Sequence, residues 1–112
     1  MTPVIMRWNM SKQTERIMAM EQRLDQCQDA ADRMLDALYV YETTFADLQK
    51  LAGYYESRQW MKDFEDDEKG KLPQDLKRGV LSEDAVYDLL TDSREISVRM
   101  LKIVEKMMGS IL

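Results

Sequence analysis

The chain has 112 residues, 45% of them hydrophobic, which is enough for one ordinary core and too little for two full domains. Its 21 acidic and 16 basic side chains give a net charge of -5, which argues against nonspecific nucleic-acid binding, because that affinity comes from lysine and arginine. With no histidine and one cysteine, the chain lacks the residues for histidine acid/base catalysis, the usual zinc sites and an intramolecular disulfide. The single cysteine fits a reducing cytoplasm, and no apolar run approaches the ~20 residues of a membrane span, so we expect a cytoplasmic protein.

The N-terminal half of the chain predicts one long helix. Residues 1–10 are interpreted as a tail or extension and residues 11–112 as a single helical domain. Ser11 is a good N-cap residue, and no glycine or proline interrupts residues 12–52, so the helix is expected to end at Gly53. Apolar residues recur along it at alternating steps of three and four, the heptad spacing of a coiled-coil seam. This row consists of Ile17, Met20, Leu24, Cys27, Ala31, Met34, Leu38, Tyr41, Phe45, Leu48, Ala52 and Tyr55.

A short second helix and a connector follow. Ser57 is the predicted N-cap of a helix that continues to Glu68 and is stopped by Gly70 and Pro73. Residues 71–81 are interpreted as a connector with one helical turn at residues 74–78. Four aromatic side chains near the bend are predicted to fill a core there: Tyr54, Tyr55, Trp60 and Phe64.

The C-terminal segment predicts a helix that begins at Ser82. Asp92 and Glu95 have capping-box spacing, which predicts a bend or restart at that point. A double apolar stripe beyond it is predicted to be a broad buried face: Ile96, Met100, Ile103 and Met107, with Leu101, Val104 and Met108 beside them. The predicted fold class is therefore all-α, with a long N-terminal amphipathic helix, a short second helix, and a C-terminal helix or bent helix pair packing back as a hairpin or bundle.

The stretch KLPQDLKRGVLSEDAVYDLL, residues 71–90, resembles a family of short bacterial proteins, the domain of unknown function numbered 4298. The resemblance extends from about Arg16 to Met107, and the segment from Val86 to Leu90 is its most specific part. It implies a cytoplasmic, helical bacterial protein with no assigned activity, and it supplies no catalytic residues. The extension before Ser11 departs from the usual start of the family.

Several polar groups could form sites. One acidic row on the first helix is interpreted as a solvated face in which Arg33 reduces the repulsion between carboxylates: Asp25, Asp29, Asp32 and Asp36. The alternative is a surface for a divalent metal or a basic partner. Pairing Asp29 and Asp32 with Glu65 and Glu68 would resemble the magnesium site of all-helical nucleotide pyrophosphohydrolases. The acidic run at residues 63–68 is expected to face solvent, since its spacing does not fit a calcium loop.

The signature stretch contributes three polar candidates. Lys77, Arg78 and Tyr87 are interpreted as a partner surface. The alternative for Arg78 and Tyr87 is a hydrogen-bonded clasp that holds the connector, and the alternative for Lys77 is charge balance against the preceding acidic run. Cys27 lies on the apolar row, where a small buried side chain is expected and a reactive thiolate is not.

The predicted function is that of a noncatalytic helical interaction or structural protein with no metal or cofactor. The alternatives are a regulator or inhibitor that binds a basic protein through its acidic face, and a magnesium-dependent hydrolase. The long helix exceeds the C-terminal helix in length, so part of its row should stay uncovered and join two copies as a homodimer. The residues predicted for that dimer seam are Ile17, Met20, Leu24, Cys27 and Ala31. A break in the helix that lets a monomer close on itself is the alternative.

Overall fold

The computed structural model describes residues 11–111, and all its regular elements in that range are helical. They are α1 (Lys12–Thr43), α2 (Phe45–Tyr55), α3 (Arg58–Glu68), a 3₁₀ turn (Gly79–Leu81) and α4 (Ala85–Ser110). The all-α fold class is confirmed, with a long first helix followed by shorter ones. The predicted tail, residues 1–10, lies outside the described residues. The chain divides into two compact units, the first ending at Thr44 and the second beginning at Phe45; a single domain over residues 11–112 stays a prediction.

The long helix is interrupted at Thr44, so the expectation of one unbroken helix over residues 12–52 was wrong. The Thr43 hydroxyl donates to the carbonyl of Val40 at 2.8 Å, and the Thr44 hydroxyl donates to the carbonyl of Tyr41 at 2.9 Å. Such bonds compete with the backbone ladder, and β-branched side chains also lower helix propensity. Two adjacent threonines therefore end α1 where the apolar spacing alone would continue it.

The prediction that Gly53 ends the helix was also wrong, because α2 continues through Gly53 to Tyr55. Glycine inside a helix costs only about 1 kcal/mol relative to alanine, so packing of the flanking residues can outweigh it. The chain turns two residues later, where the Ser57 amide donates to the carbonyl of Tyr54 at 2.9 Å.

Both predicted ends of α3 are confirmed. The Ser57 hydroxyl accepts from the amide of Trp60 at 3.2 Å, as an N-cap should. At the other end Gly70 has φ of 70°, a left-handed conformation that glycine adopts without a Cβ penalty. The amides of Gly70 and Lys71 donate to the carbonyls of Asp67 and Asp66 at 3.0 and 2.9 Å, which is the Schellman pattern.

The core of the second unit forms around Trp60. Trp60, Leu81 and Val86 are its buried hydrophobic residues, with 7%, 6% and 4% of their surface exposed. The Trp60 ring meets Tyr55 edge-on and stacks on Phe64, each at 5.2 Å between centroids. Its indole N–H donates to the carbonyl of Val80 at 2.9 Å, so α3, the connector and the start of α4 are joined at one point. The predicted aromatic core at the bend is confirmed.

The connector and α4 depart from prediction in detail. In place of a helical turn at residues 74–78, a turn closes with the Leu76 amide on the carbonyl of Pro73 at 3.2 Å, and the 3₁₀ turn follows. The Ser82 hydroxyl accepts from the amide of Ala85 at 3.1 Å, so Ser82 caps the first turn although α4 begins at Ala85. The helix then continues past Asp92 without a restart, since no glycine or proline lies before Gly109 to break its ladder.

The double stripe in the second half of α4 is exposed, contrary to the prediction of a broad buried face. Val86, near the start, is the buried residue of the helix, whereas Leu101 is 69% exposed. The remaining stripe residues are exposed or half-buried: Ile96, Met100, Ile103, Val104, Met107 and Met108. Helical periodicity identified an apolar face here but did not determine whether another element covers it.

Trp60→Ala should destabilise the protein by about 3–5 kcal/mol, because it removes a buried ring and leaves the carbonyl of Val80 without its donor. Met61→Ala on the same helix is the matched control, since Met61 is half exposed; it should change the free energy of unfolding by about 0.5 kcal/mol or less. Urea unfolding followed by circular dichroism measures both. Equal losses in the two variants would contradict a core centred on Trp60.

Candidate functional site

The apolar row of α1 lies on an exposed helical face. The Ser11 hydroxyl accepts from the amide of Thr14 at 3.1 Å and fixes the start of the helix, as predicted. No residue of α1 is buried, and Ile17, Met20 and Leu24 are each about half exposed. Cys27 is exposed too, so the burial expected for it is not found in the single chain. Among the described residues of the first unit α1 is the single regular element, so no other described element of that unit covers its apolar face.

The acidic row occupies other faces of the same helix. Arg33 forms an ion pair with Asp29 at 3.1 Å, both side chains being largely exposed, which is the predicted relief of the row. Exposed pairs of this kind contribute about 0–1 kcal/mol, so the row is a solvated surface rather than a stabilising network. Among residues 11–111 no group of three or more potential ligands is placed to hold a metal ion. The proposed pairing of these aspartates with Glu65 and Glu68 would join the two units and stays a prediction.

A cleft of about 290 Å³ opens in the second unit, between the connector, the C-terminal end of α2 and the middle of α3. Its polar groups come from Tyr54, Asp63, Lys77 and Arg78, and its apolar walls from Leu72, Leu76, Val80 and Leu81. A more open depression lies along α4, but its lining residues all belong to that one helix. The cleft is therefore the one of these two hollows with walls from several elements.

The side chain of Arg78 holds the connector through hydrogen bonds. Its guanidinium donates to the carboxylate of Asp67 and to the carbonyl of Pro73, and its Nε donates to the carbonyl of Leu76 at 3.2 Å. The planar group thus ties the last turn of α3 to both sides of the connector turn. Lys77 is exposed beside it, and Tyr87 is 60% exposed on α4 and does not line the cleft. Of the two interpretations of the signature residues, this geometry favours the clasp for Arg78.

A second polar pair, Tyr54 with Asp63, was missed by sequence reasoning. The Tyr54 hydroxyl donates to Asp63 Oδ2 at 2.6 Å, and the Gln59 amide donates to Oδ1 at 3.0 Å. Burial, the hydrogen bond and the negative charge of Asp63 together raise the pKa of Tyr54 to about 12. The same hydrogen bonds, from Tyr54 first and Gln59 second, hold the pKa of Asp63 below its usual value. No local motif marks a pair nine residues apart across a turn, so the spacing gave no signal.

Three of the four polar side chains of the cleft, those of Tyr54, Asp63 and Arg78, are thus engaged in hydrogen bonds. Both oxygens of Asp63 accept hydrogen bonds, and Arg78 donates to a carboxylate and two carbonyls. These bonds hold α2, α3 and the connector together and account for the unusual pKa of Tyr54 without a substrate. The arrangement supports a structural role for the cleft.

These features define a class: a small all-α protein with one exposed amphipathic helix and a helical unit closed by a clasped connector. The chain belongs to the DUF4298 family, a domain of unknown function, whose model matches residues 17–103. That membership confirms the resemblance seen in the signature stretch. No curated protein and no solved structure matches the chain significantly. Within the described range, no helix combines the length and apolar character needed to cross a membrane.

Arg78→Ala should lower the free energy of unfolding by about 2 kcal/mol, since hydrogen bonds to charged groups contribute about 1.5–3 kcal/mol. Arg78→Lys should recover less than half of that loss, because an ammonium cannot reproduce the planar fork. Lys77→Ala, the exposed neighbour, is the control and should lie within about 0.5 kcal/mol of wild type. Chemical unfolding of the three variants decides the matter, and full recovery by lysine would argue against the clasp.

Tyr54→Phe should change how stability depends on alkaline pH. A phenol whose pKa is raised by folding stabilises the native state below its unfolded pKa of about 10, and this contribution disappears as the pH rises to about 12. Wild type should therefore lose more stability than Tyr54→Phe between those limits. Urea unfolding across this range tests it. Tyr39→Phe, altered at an exposed side chain, should follow wild type; a Tyr54→Phe profile that also follows wild type would contradict the prediction.

Proposed function

We propose that this protein is a noncatalytic helical interaction protein of the cytoplasm that forms a homodimer through the N-terminal half of α1. The observation that carries the proposal is the exposed apolar row of this helix, from Ile17 through Met20 and Leu24 to Cys27 and Ala31. Contiguous apolar stripes on a surface mark interaction sites, because leaving them in water is unfavourable.

The geometry of α1 suits such a contact. Residues 17–31 extend for about 21 Å at 1.5 Å per residue, and the row continues at heptad spacing to Tyr41. The position opposite the row is polar throughout the helix: Glu15, Gln22, Asp29, Asp36 and Thr43. The row therefore offers an apolar face to a helix partner, and the face opposite the row stays compatible with water.

The noncatalytic part of the proposal is supported by the cleft. Its carboxylate and guanidinium are engaged in bonds that join structural elements, and the sequence has no histidine for proton transfer near neutral pH. A cytoplasmic location is supported by the single cysteine, which has no partner for a disulfide within its own chain and which a reducing compartment keeps as a thiol.

A second candidate, a regulator that binds a basic protein, is favoured by the exposed acidic residues of α1. Asp29 and Arg33 form one exposed ion pair, and Asp25, Asp32 and Asp36 are exposed as well. Recovery of one basic protein by the wild type, lost on changing Asp32 and Asp36 to asparagine, would support this candidate over a self-associating protein.

The homodimer predicts that Leu24→Asp yields a monomer, because the new carboxylate would be buried between two seams. Gln22→Asp is the matched control, since it introduces the same charge on the opposite face of the same helix. Light scattering coupled to size exclusion at micromolar concentration should show a dimer for wild type and the control only. A wild type that is monomeric at every concentration would refute the proposal, and a Leu24→Asp dimer would place the interface elsewhere.

A further inference from the structure

We infer that the two α1 helices of the dimer lie parallel and in register, as a short two-stranded coiled coil. This inference rests on the homodimer proposed above and adds the direction and alignment of its partner, a second copy of this chain. It depends on the residues that flank the apolar row on either side.

The heptad positions define which residues flank the apolar row. With Ile17, Leu24 and Ala31 at position a, Met20 and Cys27 fall at position d. One flank, position g, then holds Arg16, Arg23 and Ala30; the other, position e, holds Glu21, Gln28 and Leu35. All six side chains are exposed, and Arg16 and Glu21 take part in no ion pair among the described residues.

In a parallel, in-register pair each of these six flanking residues meets a compatible residue of the second copy. In that arrangement a g residue meets the e residue of the following heptad on the other helix. Arg16 then meets Glu21 of the second copy, which is an attractive ion pair, and Arg23 meets Gln28, which can accept a hydrogen bond. Ala30 meets Leu35, which is 65% exposed in the single chain. By symmetry each contact occurs twice.

An antiparallel pair leaves the same residues mismatched. Such a pair sets e against e and g against g. We consider the antiparallel alignment in which the large apolar residues of the row on one helix lie opposite those on the other. Glu21 then faces Leu35 and Arg23 faces Ala37, so neither charged side chain meets a residue of opposite charge. Asp25, Asp29, Asp32 and Asp36 occupy outer positions in either arrangement, where separation and salt weaken their repulsion, so they do not distinguish the two directions.

Charge reversal tests the direction in the full chain. Arg16→Glu alone sets glutamate against glutamate in a parallel homodimer, and Glu21→Arg alone sets arginine against arginine. Each variant should dimerise about tenfold more weakly than wild type, since exposed pairs contribute a few tenths of a kcal/mol and two pairs change sign. An equal mixture of the two variants restores opposite charges in both pairs, so native mass spectrometry should find the mixed dimer well above the statistical half.

Cross-linking gives an independent measure that does not depend on charge. Gln13 occupies the d position before Met20 and is exposed on the first turns of α1. In a Cys27→Ala background, Gln13→Cys should link to its own counterpart under mild oxidation or with a short bismaleimide. In an antiparallel pair the two sulfurs would lie roughly 45 Å apart along the helices and would not link. Gln22→Cys in the same background faces outward and is the control that should stay uncoupled.

The possible results separate the two proposals. A dimeric wild type with a statistical mixture and no Gln13→Cys product would overturn the parallel arrangement while the homodimer stands. A wild type that stays monomeric would overturn both. Preference for the mixed dimer together with the Gln13→Cys product supports the parallel, in-register coiled coil.

Discussion

Burial of the Trp60 indole is the constraint on which the second unit depends. A buried indole N–H needs an acceptor, and here the acceptor is the carbonyl of Val80, twenty residues later in the chain. The connector must therefore return to α3 in one alignment, which also brings Leu81 and Val86 into the same core. Gly70 turns the chain at the end of α3, and Arg78 fixes the returning segment. This single requirement brings three residues of the stretch 71–90 to α3: Val80, Leu81 and Val86.

The stability of the first unit has different sources. A helix in water gains most of its stability from packing an apolar face, and α1 has 32 residues of which none is buried. Its N-cap and its exposed Asp29–Arg33 pair contribute at most about 3 kcal/mol together. The second unit, in contrast, has a small core and several hydrogen bonds between its elements. This difference favours a partner for α1 as part of the folded state, which is the physical basis of the proposed homodimer.

Local signals in the sequence predicted the helices well. Features that depend on contacts between residues far apart in the chain could not be predicted from the sequence. Ser11, Ser57 and Gly70 act within three or four residues of themselves, so their capping roles could be read directly. The break at Thr44 is also local, but apolar periodicity does not register the hydroxyls that cause it. The Tyr54–Asp63 pair and the Trp60–Val80 bond require the chain to turn first, and no spacing rule describes them. The C-terminal stripe of α4 was predicted as apolar correctly and as buried wrongly, because a pattern along one helix does not reveal what lies opposite it.

The difference between local signals and long-range contacts also affects which residues are candidates for recognition. Arg78 was a candidate for partner binding as long as only its charge and position were known, but its donors serve the connector, and a side chain so engaged is poorly placed to recognise a ligand as well. The family match covers residues 17–103 and so contains both the clasp and the apolar row of α1. The clasp is accounted for by the folding of its own unit. The row of α1 is not, since no other described element of its unit covers it, and an apolar surface that the fold does not use is the stronger candidate for recognition.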